Sequence, residues 1–295
     1  MRRGFAAICA ALLVLGACRQ TGERPIRIGS KNFTEQVLLG EIAAQALERA
    51  GLRVERRLDL GGSFVCHRAL VAGELDLYPE YSGTAFAAIL KQKPITDPAR
   101  VRGYVFAAYD RAWGLVWAPP LGFENTFALV MRSDQARQLG ISKISDLARH
   151  AGLRPGFGYE FVERADGFPG LASAYGLEFA ARPAEMDLGL LYPALASRQV
   201  DVVAGNSTDG LIAALGGVVL EDDRRYFPPY EAAFVARGPI WRADPRVRAA
   251  LKALNGSIDA PAMRRLNAAV DRDKRRPEEV AREFLLGLRP AEPHK

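Results

Sequence analysis

Cysteine and histidine are scarce in this chain of 295 residues, with three of each. The histidines, His67, His150 and His294, lack the spacing of metal ligands. Neither a Gly-x-Ser-x-Gly pattern nor a phosphate-binding P-loop occurs. These absences argue against a zinc site and against the common hydrolase and nucleotide-binding chemistries. We therefore expect no metal, no cofactor and no enzymatic activity.

Long hydrophobic runs are also lacking, except at the N-terminus. An apolar stretch at 5–15 follows Arg2 and Arg3 and ends in Leu15-Gly16-Ala17-Cys18. It is shorter than the ~20 residues of a membrane-spanning helix, and its layout is typical of a signal peptide. Leu-Gly-Ala-Cys resembles the lipobox of bacterial lipoproteins. This predicts a signal peptide at 1–17, a lipidated Cys18 and a tether at 18–24. The protein would then be exported and lipid-anchored to a membrane on the periplasmic side of the cell envelope.

A strong charge imbalance is missing as well. The formal net charge is +6, and it falls to +4 if Arg2 and Arg3 leave with the signal peptide. The basic residues at 272–276 stand beside Glu278 and Glu279 in a helical pattern, which favours a solvated helix face over a nucleic-acid site. With Cys9 removed and Cys18 lipidated, Cys66 has no partner for a disulfide and is interpreted as a small buried hydrophobe.

Short strands and helices alternate along the chain, which predicts an α/β fold with parallel strands. Thr34 is expected to cap the first helix, whose pattern runs to about Ala50. The first series comprises strands at 26–28, 54–60 and 74–78 and helices at 34–50, 64–72 and from 82 onwards. The second comprises strands at 126–131, 154–157, 178–180, 200–204, 218–220 and 232–236, with final helices at 244–254, 260–270 and 277–288.

The length suits two compact lobes, yet no Pro/Gly/Ser-rich linker divides the chain. A bilobal protein without a linker results when the chain crosses between the lobes twice. We expect the crossings near 126 and 230. The first lobe would then comprise 25–125 and 231–295, and the second 126–230.

Five short stretches occur in order along the chain: 28–36, 74–84 (ELDLYPEYSGT), 161–170, 201–210 and 227–230. In order and spacing they resemble the substrate-binding lipoproteins of ABC importers for glycine betaine, choline and carnitine. The resemblance covers essentially the whole mature chain and implies a bilobal type II periplasmic-binding-protein fold, with two α/β lobes joined by two crossing strands. It further implies a monomer that closes on a small quaternary-ammonium solute and delivers it to permease and ATPase subunits.

A betaine carries a carboxylate and a trimethylammonium, which need opposite chemistry. Cations and hydroxyls suit the carboxylate. Carried over from the family, this role falls on Lys31, Thr84 and Arg164. The alternative readings are a solvated loop charge for Lys31 and a salt bridge to Asp166 or Glu163 for Arg164.

Aromatic ring faces suit the trimethylammonium, at ~0.5–2 kcal/mol per ring. The family's cage of tyrosines falls on Tyr81, Phe127, Asn206 and Tyr230, with Asn125 beside it. Phe127 keeps a ring face, but Asn206 has none and instead offers hydrogen bonds. Less supported candidates are Ser30, Asn32, Phe64 and Tyr192, and core packing is the commoner explanation for Tyr192.

Two alternative functions remain open from the sequence. The protein could bind a different polar amine or zwitterion, with Asn206 as a hydrogen-bond partner. An enzyme on the same fold is the weaker alternative, with Glu35 and Glu80 as the carboxylates near the cleft.

Overall fold

The computed structural model describes residues 24–93 and 95–288. The predicted signal peptide, Cys18 and all but the last residue of the tether lie outside this part. The strands are β1 Ile26–Gly29, β2 Val54–Arg57, β3 Leu77–Tyr81, β4 Leu115–Trp117, β5 Phe127–Arg132, β6 Pro155–Gly158, β7 Ala184–Met186, β8 Val202–Asn206, β9 Gly217–Val219 and β10 Ala232–Arg237. The helices are α1 Thr34–Arg49, α2 Ser63–Val71, α3 Ser82–Thr84, α4 Pro98–Trp113, α5 Ser133–Leu139, α6 Tyr159–Glu163, α7 Phe168–Tyr175, α8 Leu191–Ala196, α9 Leu211–Ala214, α10 Gly238–Ala243, α11 Pro245–Lys252, α12 Ala260–Asp271 and α13 Pro277–Gly287. A π-helical segment follows α3 at Ala85–Ile89, and 3₁₀ turns occur at Ile144–Arg149 and Leu188–Leu190.

Two five-stranded sheets form the two lobes. The first lobe is built on the order β2-β1-β3-β10-β4, and the second on β7-β6-β8-β5-β9. The chain passes to the second sheet between β4 and β5 and returns between β9 and β10. The expectation of parallel strands is right for β1 with its neighbours β2 and β3 and for β6 with β7 and β8. It is wrong for β10 and β5, which pair antiparallel with both of their neighbours.

Some local predictions were wrong, and tertiary contacts explain why. No strand forms at 178–180, which is largely exposed, because β6 pairs with β7 instead. The third strand was expected at 74–78 but begins at Leu77. Asp76, just before it, uses its carboxylate to accept hydrogen bonds from the backbone N–H and the side chain of Arg27. Thr34 does not cap α1, since its hydroxyl donates to Asp271 of α12 at 2.5 Å.

The carboxyl ends of the strands in both sheets carry the polar loops that face each other between the lobes. Ligands of open α/β sheets bind at such ends. Ser30–Phe33 follows β1, Ser82 follows β3, Tyr159 follows β6 and Ser207 follows β8. The start of β5 lies beside the end of β8, because Phe127 pairs with Asn206. Among the described residues, no helix is both long and apolar enough to cross a membrane.

Candidate ligand-binding cleft

A cavity of about 350 Å³ lies between the two lobes. All eight residues that the sequence predicts as ligand-binding line it, so the two lobes bring them together: Lys31, Tyr81, Thr84, Asn125, Phe127, Arg164, Asn206 and Tyr230. Six of them are almost fully buried, and Phe127 and Asn206 are partly buried. Asn32 and Phe64 of the less supported candidates also line the cavity.

The first buried cation is Lys31, at the carboxyl end of β1. Its ammonium donates to Oε1 of Glu80 at 2.5 Å, and both side chains are essentially shielded from solvent. The Glu80 carboxylate also accepts from the Tyr78 hydroxyl at 2.9 Å and from the Tyr81 backbone N–H at 2.7 Å. The reading of Lys31 as a solvated loop charge is therefore wrong.

The second buried cation is Arg164, contributed by the second lobe. Its Nε and Nη2 donate to the two oxygens of Asp166 at 2.9 and 2.6 Å, a bidentate pair. Nη2 also reaches the Thr84 hydroxyl of the first lobe at 3.4 Å. Burial alone would lower the Arg164 pKa, but hydrogen bonds and the charge of Asp166 raise it. The salt bridge considered as an alternative for Arg164 thus exists within the cavity wall.

Aromatic rings surround the space beside these cations. The Tyr81 and Tyr230 rings are almost fully buried. Nζ of Lys31 lies 4.9 Å from the Tyr81 ring centroid, and Arg164 lies 5.1 Å from that of Phe127. The Tyr81 and Phe127 rings are therefore each close to a cation of the protein itself. A ligand can contact only the remaining surface of these two rings.

Three further rings line the cavity although sequence reasoning did not select them: Phe33, Tyr159 and Phe161. Phe161 packs edge-on against Phe127, with ring centroids 4.8 Å apart, and Phe33 stacks beside Tyr81 at 6.4 Å. Phe33 lies in the loop after β1 and Phe161 in the helix after β6. Their position beyond the carboxyl ends of strands was the signal that could have found them.

Asn206, where the predicted cage lacks a ring, turns partly towards its own lobe. Its side-chain amide lies 3.4 Å from Oδ1 of Asp209, and its backbone N–H donates to Oδ2 of Asp209 at 2.8 Å. The Tyr192 hydroxyl donates to the same carboxylate at 2.7 Å, and Tyr192 packs in the second lobe's core as predicted.

A buried carboxylate, Glu35, lies behind the cage. It accepts from the Tyr81 hydroxyl at 2.6 Å and from the Asn125 amide at 2.8 Å. It also accepts from Thr208 of the second lobe at 2.5 Å and from Asn267 of α12 at 2.9 Å. We call these five residues the Glu35 cluster. Burial raises the Glu35 pKa, although the four hydrogen bonds oppose that effect.

Asn125 lines the cavity, but only one end of its side-chain amide is hydrogen-bonded. Its amide nitrogen is held by Glu35, whereas its side-chain oxygen is buried without a hydrogen-bond partner in the described part of the chain. Across 24–93 and 95–288, no group of three or more His, Cys, Asp or Glu residues is arranged to hold a metal ion.

Residues 24–286 match the sequence profile of a family described as the substrate-binding domain of the ABC-type glycine betaine transport system. The chain belongs to this family. The family consists of transporter substrate-binding proteins and not of enzymes. Its members work outside the cytoplasm, and the predicted family and fold are confirmed.

Named relatives of this glycine betaine transport family agree with the match. A glycine-betaine-binding protein of Pseudomonas aeruginosa is 36% identical, over 97% of this chain and 94% of that protein. An ergothioneine transport permease/binding protein of Helicobacter pylori is 35% identical over 90% of this chain, which spans only 48% of that longer protein. A crystal structure described as a glycine betaine/carnitine/choline ABC transporter is 31% identical, over 88% of this chain and 97% of the other, with a TM-score of 0.72.

Proposed function

We propose that this protein binds a small quaternary-ammonium osmoprotectant, such as glycine betaine or choline, in the cleft and delivers it to an ABC permease when the lobes close. The observation that carries the proposal is the charge arrangement of the cavity. Two buried cations, Lys31 and Arg164, come from opposite lobes, and each is paired with a buried carboxylate. Within these two pairs the charges cancel, so a zwitterion adds no net charge to them.

The two ends of a betaine have separate places in this proposal. Lys31, Thr84 and Arg164 bind the carboxylate, because charge-assisted hydrogen bonds to an oxyanion are strong. Tyr81, Phe127 and Tyr230 receive the trimethylammonium, which holds water weakly and is attracted to ring faces. Asn125 and Phe161, which also line the cavity, complete that end.

Closure of the two lobes links ligand binding to transport. A ligand held by Lys31 of one lobe and Arg164 of the other favours the closed state by its differential affinity for it. The permease and its ATPase would recognise that state. Lobe boundaries at 125/126 and 230/231 fit this motion, since both lie in the connections between the sheets.

Calorimetric titration of the purified protein against glycine betaine, choline, carnitine and proline tests the ligand class. We expect at least one trimethylammonium compound to bind in the micromolar range or tighter and proline to bind more weakly. Recovery of the bound compound unchanged would support a binding protein without enzymatic activity. Tighter binding of proline than of every trimethylammonium compound would refute the quaternary-ammonium assignment.

A different polar amine or zwitterion is the second candidate, because the Asn206 amide lines the cavity. Its hydrogen bond to Asp209 is long, at 3.4 Å, so a ligand group could compete for it. A primary amine that binds more tightly than its trimethylated counterpart would favour this candidate.

We also propose that Cys18 carries the lipid anchor, so that the protein acts as a monomer tethered at the membrane surface. Labelled palmitate should be incorporated into the wild-type protein in cells and not into Cys18→Ser. Equal labelling of both would contradict the anchor.

A further inference from the structure

The cavity extends beyond the eight candidate residues towards solvent, and this outer part is apolar on both sides. Phe64 and Val65, at the start of α2, line it from the first lobe. Tyr159, Met186 and Leu188 line it from the second. Phe64, Val65 and Tyr159 are 36%, 41% and 52% exposed, in contrast to the buried inner end. We call these five residues the mouth.

The mouth is not simply the gap of a widely open cleft. The lobes already touch, since Thr208 of the second lobe donates to Glu35 of the first, and Nη2 of Arg164 donates to the Thr84 hydroxyl at 3.4 Å. At Gly62 the approach is so close that an added Cβ would clash with the Glu160 carboxylate of the opposite lobe. The cavity of about 350 Å³ is therefore space that remains while the lobes are in contact.

Glycine betaine cannot use this space. A single CH₂ separates its ammonium from its carboxylate, and both groups are engaged at the inner end. The volume instead falls within the ~300–1,000 Å³ of pockets that hold drug-sized ligands. A ligand that fills the site needs a third group that reaches the mouth.

The side chains of the mouth indicate the nature of that group. Tyr159, Phe64 and the thioether of Met186 suit a flat, polarisable ring. The rim is acidic. Three carboxylates, those of Glu160, Glu163 and Asp187, line it beside the cation Arg68. Glu160 lies 3.7 Å from Arg164, so Glu163 and Asp187 account for the excess of negative charge. This rim disfavours an anionic arm and favours one that offers N–H donors.

Resting on the proposed function, we infer that the preferred ligand is a trimethylammonium zwitterion with a third, ring-bearing arm, and that this arm lies in the mouth between α2 and Met186–Leu188. The inner end holds the ammonium and the carboxylate. The mouth then decides which betaine is preferred.

Calorimetry with glycine betaine, trimethylhistidine and ergothioneine tests the inference, since the last two carry an imidazole-type ring with N–H donors. We expect at least one of them to bind tenfold or more tightly than glycine betaine. If glycine betaine binds and neither ring compound binds more tightly, the inference is overturned and the proposed function stands. If no trimethylammonium compound binds, the proposed function fails as well.

Matched variants locate the arm. Val65→Ala and Leu188→Ala each remove methyl groups from the mouth, and each should weaken the ring compound about threefold to tenfold more than glycine betaine. Val71→Ala and Leu190→Ala are the controls, because these residues have similar or greater exposure, at 43% and 54%, and lie outside the cavity lining. Equal weakening of both ligands in the mouth variants, or the same selectivity change in the controls, would overturn the inference.

Discussion

The buried carboxylates around the cleft fall into two groups, which differ in whether their hydrogen-bond donors are charged or neutral. Glu80 and Asp166 are each paired with a buried cation, whereas the four donors to Glu35 are neutral side chains. An ion pair offsets the cost of burying both charges and fixes the position of each partner. Neutral donors fix the position of the Glu35 carboxylate, but burial still raises the pKa of Glu35. Tyr81 joins the two groups, because its ring lies beside Lys31 and its hydroxyl binds Glu35.

This difference indicates that the two groups have separate roles. The ion pairs set the charge and selectivity of the ligand site. The Glu35 cluster draws together α1, the end of β3, the crossing at Asn125, the loop after β8 and α12, and so sets the geometry of the cage. Substitutions in and around both groups test this contrast.

Arg164→Met should have the largest effect. It leaves Asp166 buried without its partner, which costs about 3–5 kcal/mol of unfolding free energy, and it removes a carboxylate-binding group. Glycine betaine affinity should fall by 100-fold or more. Urea unfolding and calorimetry measure the two effects.

The control is Arg198→Met, in an exposed pair with Asp134 at 3.1 Å. It should cost less than about 1 kcal/mol. Equal losses in the two variants would contradict the importance of the buried pair.

Glu35→Ala should have the next largest effect, because four buried donors lose their acceptor at once. Each unsatisfied group costs about 1–3 kcal/mol, so we expect a loss of at least about 3 kcal/mol. Ligand affinity should also fall about tenfold as Tyr81 and Asn125 lose their anchor. Glu35→Gln keeps one acceptor oxygen and should lose less. If Glu35→Ala unfolds like exposed Glu283→Ala, the cluster has no organising role.

Asp209 should give a smaller, pH-dependent effect. Burial, and to a lesser extent the nearby carboxyls of Glu35 and Asp271, raise its pKa from 3.8 to about 7, although hydrogen bonds from Asn206 and Tyr192 oppose the shift. The folded protein therefore keeps this proton up to about pH 7, whereas the unfolded chain releases it near pH 4. Between these values the folded state holds more protons, so stability falls as pH rises, by on the order of 1 kcal/mol per pH unit.

Asp209→Asn should flatten this slope in urea unfolding measured from pH 4.5 to 7.5. Glu35 and Asp271, whose pKa values burial also raises, would retain part of it. An unchanged slope in the variant would show that Asp209 is ionised in the folded protein throughout that range.

Asn206→Tyr should have the smallest effect. It exchanges an amide held by Asp209 for a ring beside Phe127, and one additional ring is worth about 1 kcal/mol, or roughly fivefold tighter glycine betaine binding. Asn206→Leu, which adds apolar bulk without a ring, is the control. An equal gain in both variants would mean that packing, and not a cation–π contact, improves the fit.

Much of the site could be predicted from the sequence, because most of its residues lie in or beside short motifs that resemble those of the family. The positions of Lys31, Thr84 and Arg164 follow from local motifs that survive in order. Phe33 and Phe161 were not predicted to line the cavity, since a lone phenylalanine in a loop or a short helix looks like a core residue. The Glu35 cluster was equally hidden, because its members are separated by up to 232 residues.

The fold shows the same limit. Alternation of strands and helices predicted the α/β class and the final three helices. The strand predicted at 178–180 does not form. An edge strand needs a neighbouring strand to pair with, and β6 pairs with Ala184–Met186 instead. The direction of β10 could not be read from composition, since a buried apolar run looks alike in parallel and antiparallel surroundings.

The position of β10 between β3 and β4 has a consequence for biosynthesis. A nascent chain that ends before Ala232 already contains every strand of the second sheet, while β4 still lacks the only strand that joins it to β3 among the described residues. The half made first is thus completed last, and it stays vulnerable to aggregation and proteolysis until the final quarter of translation.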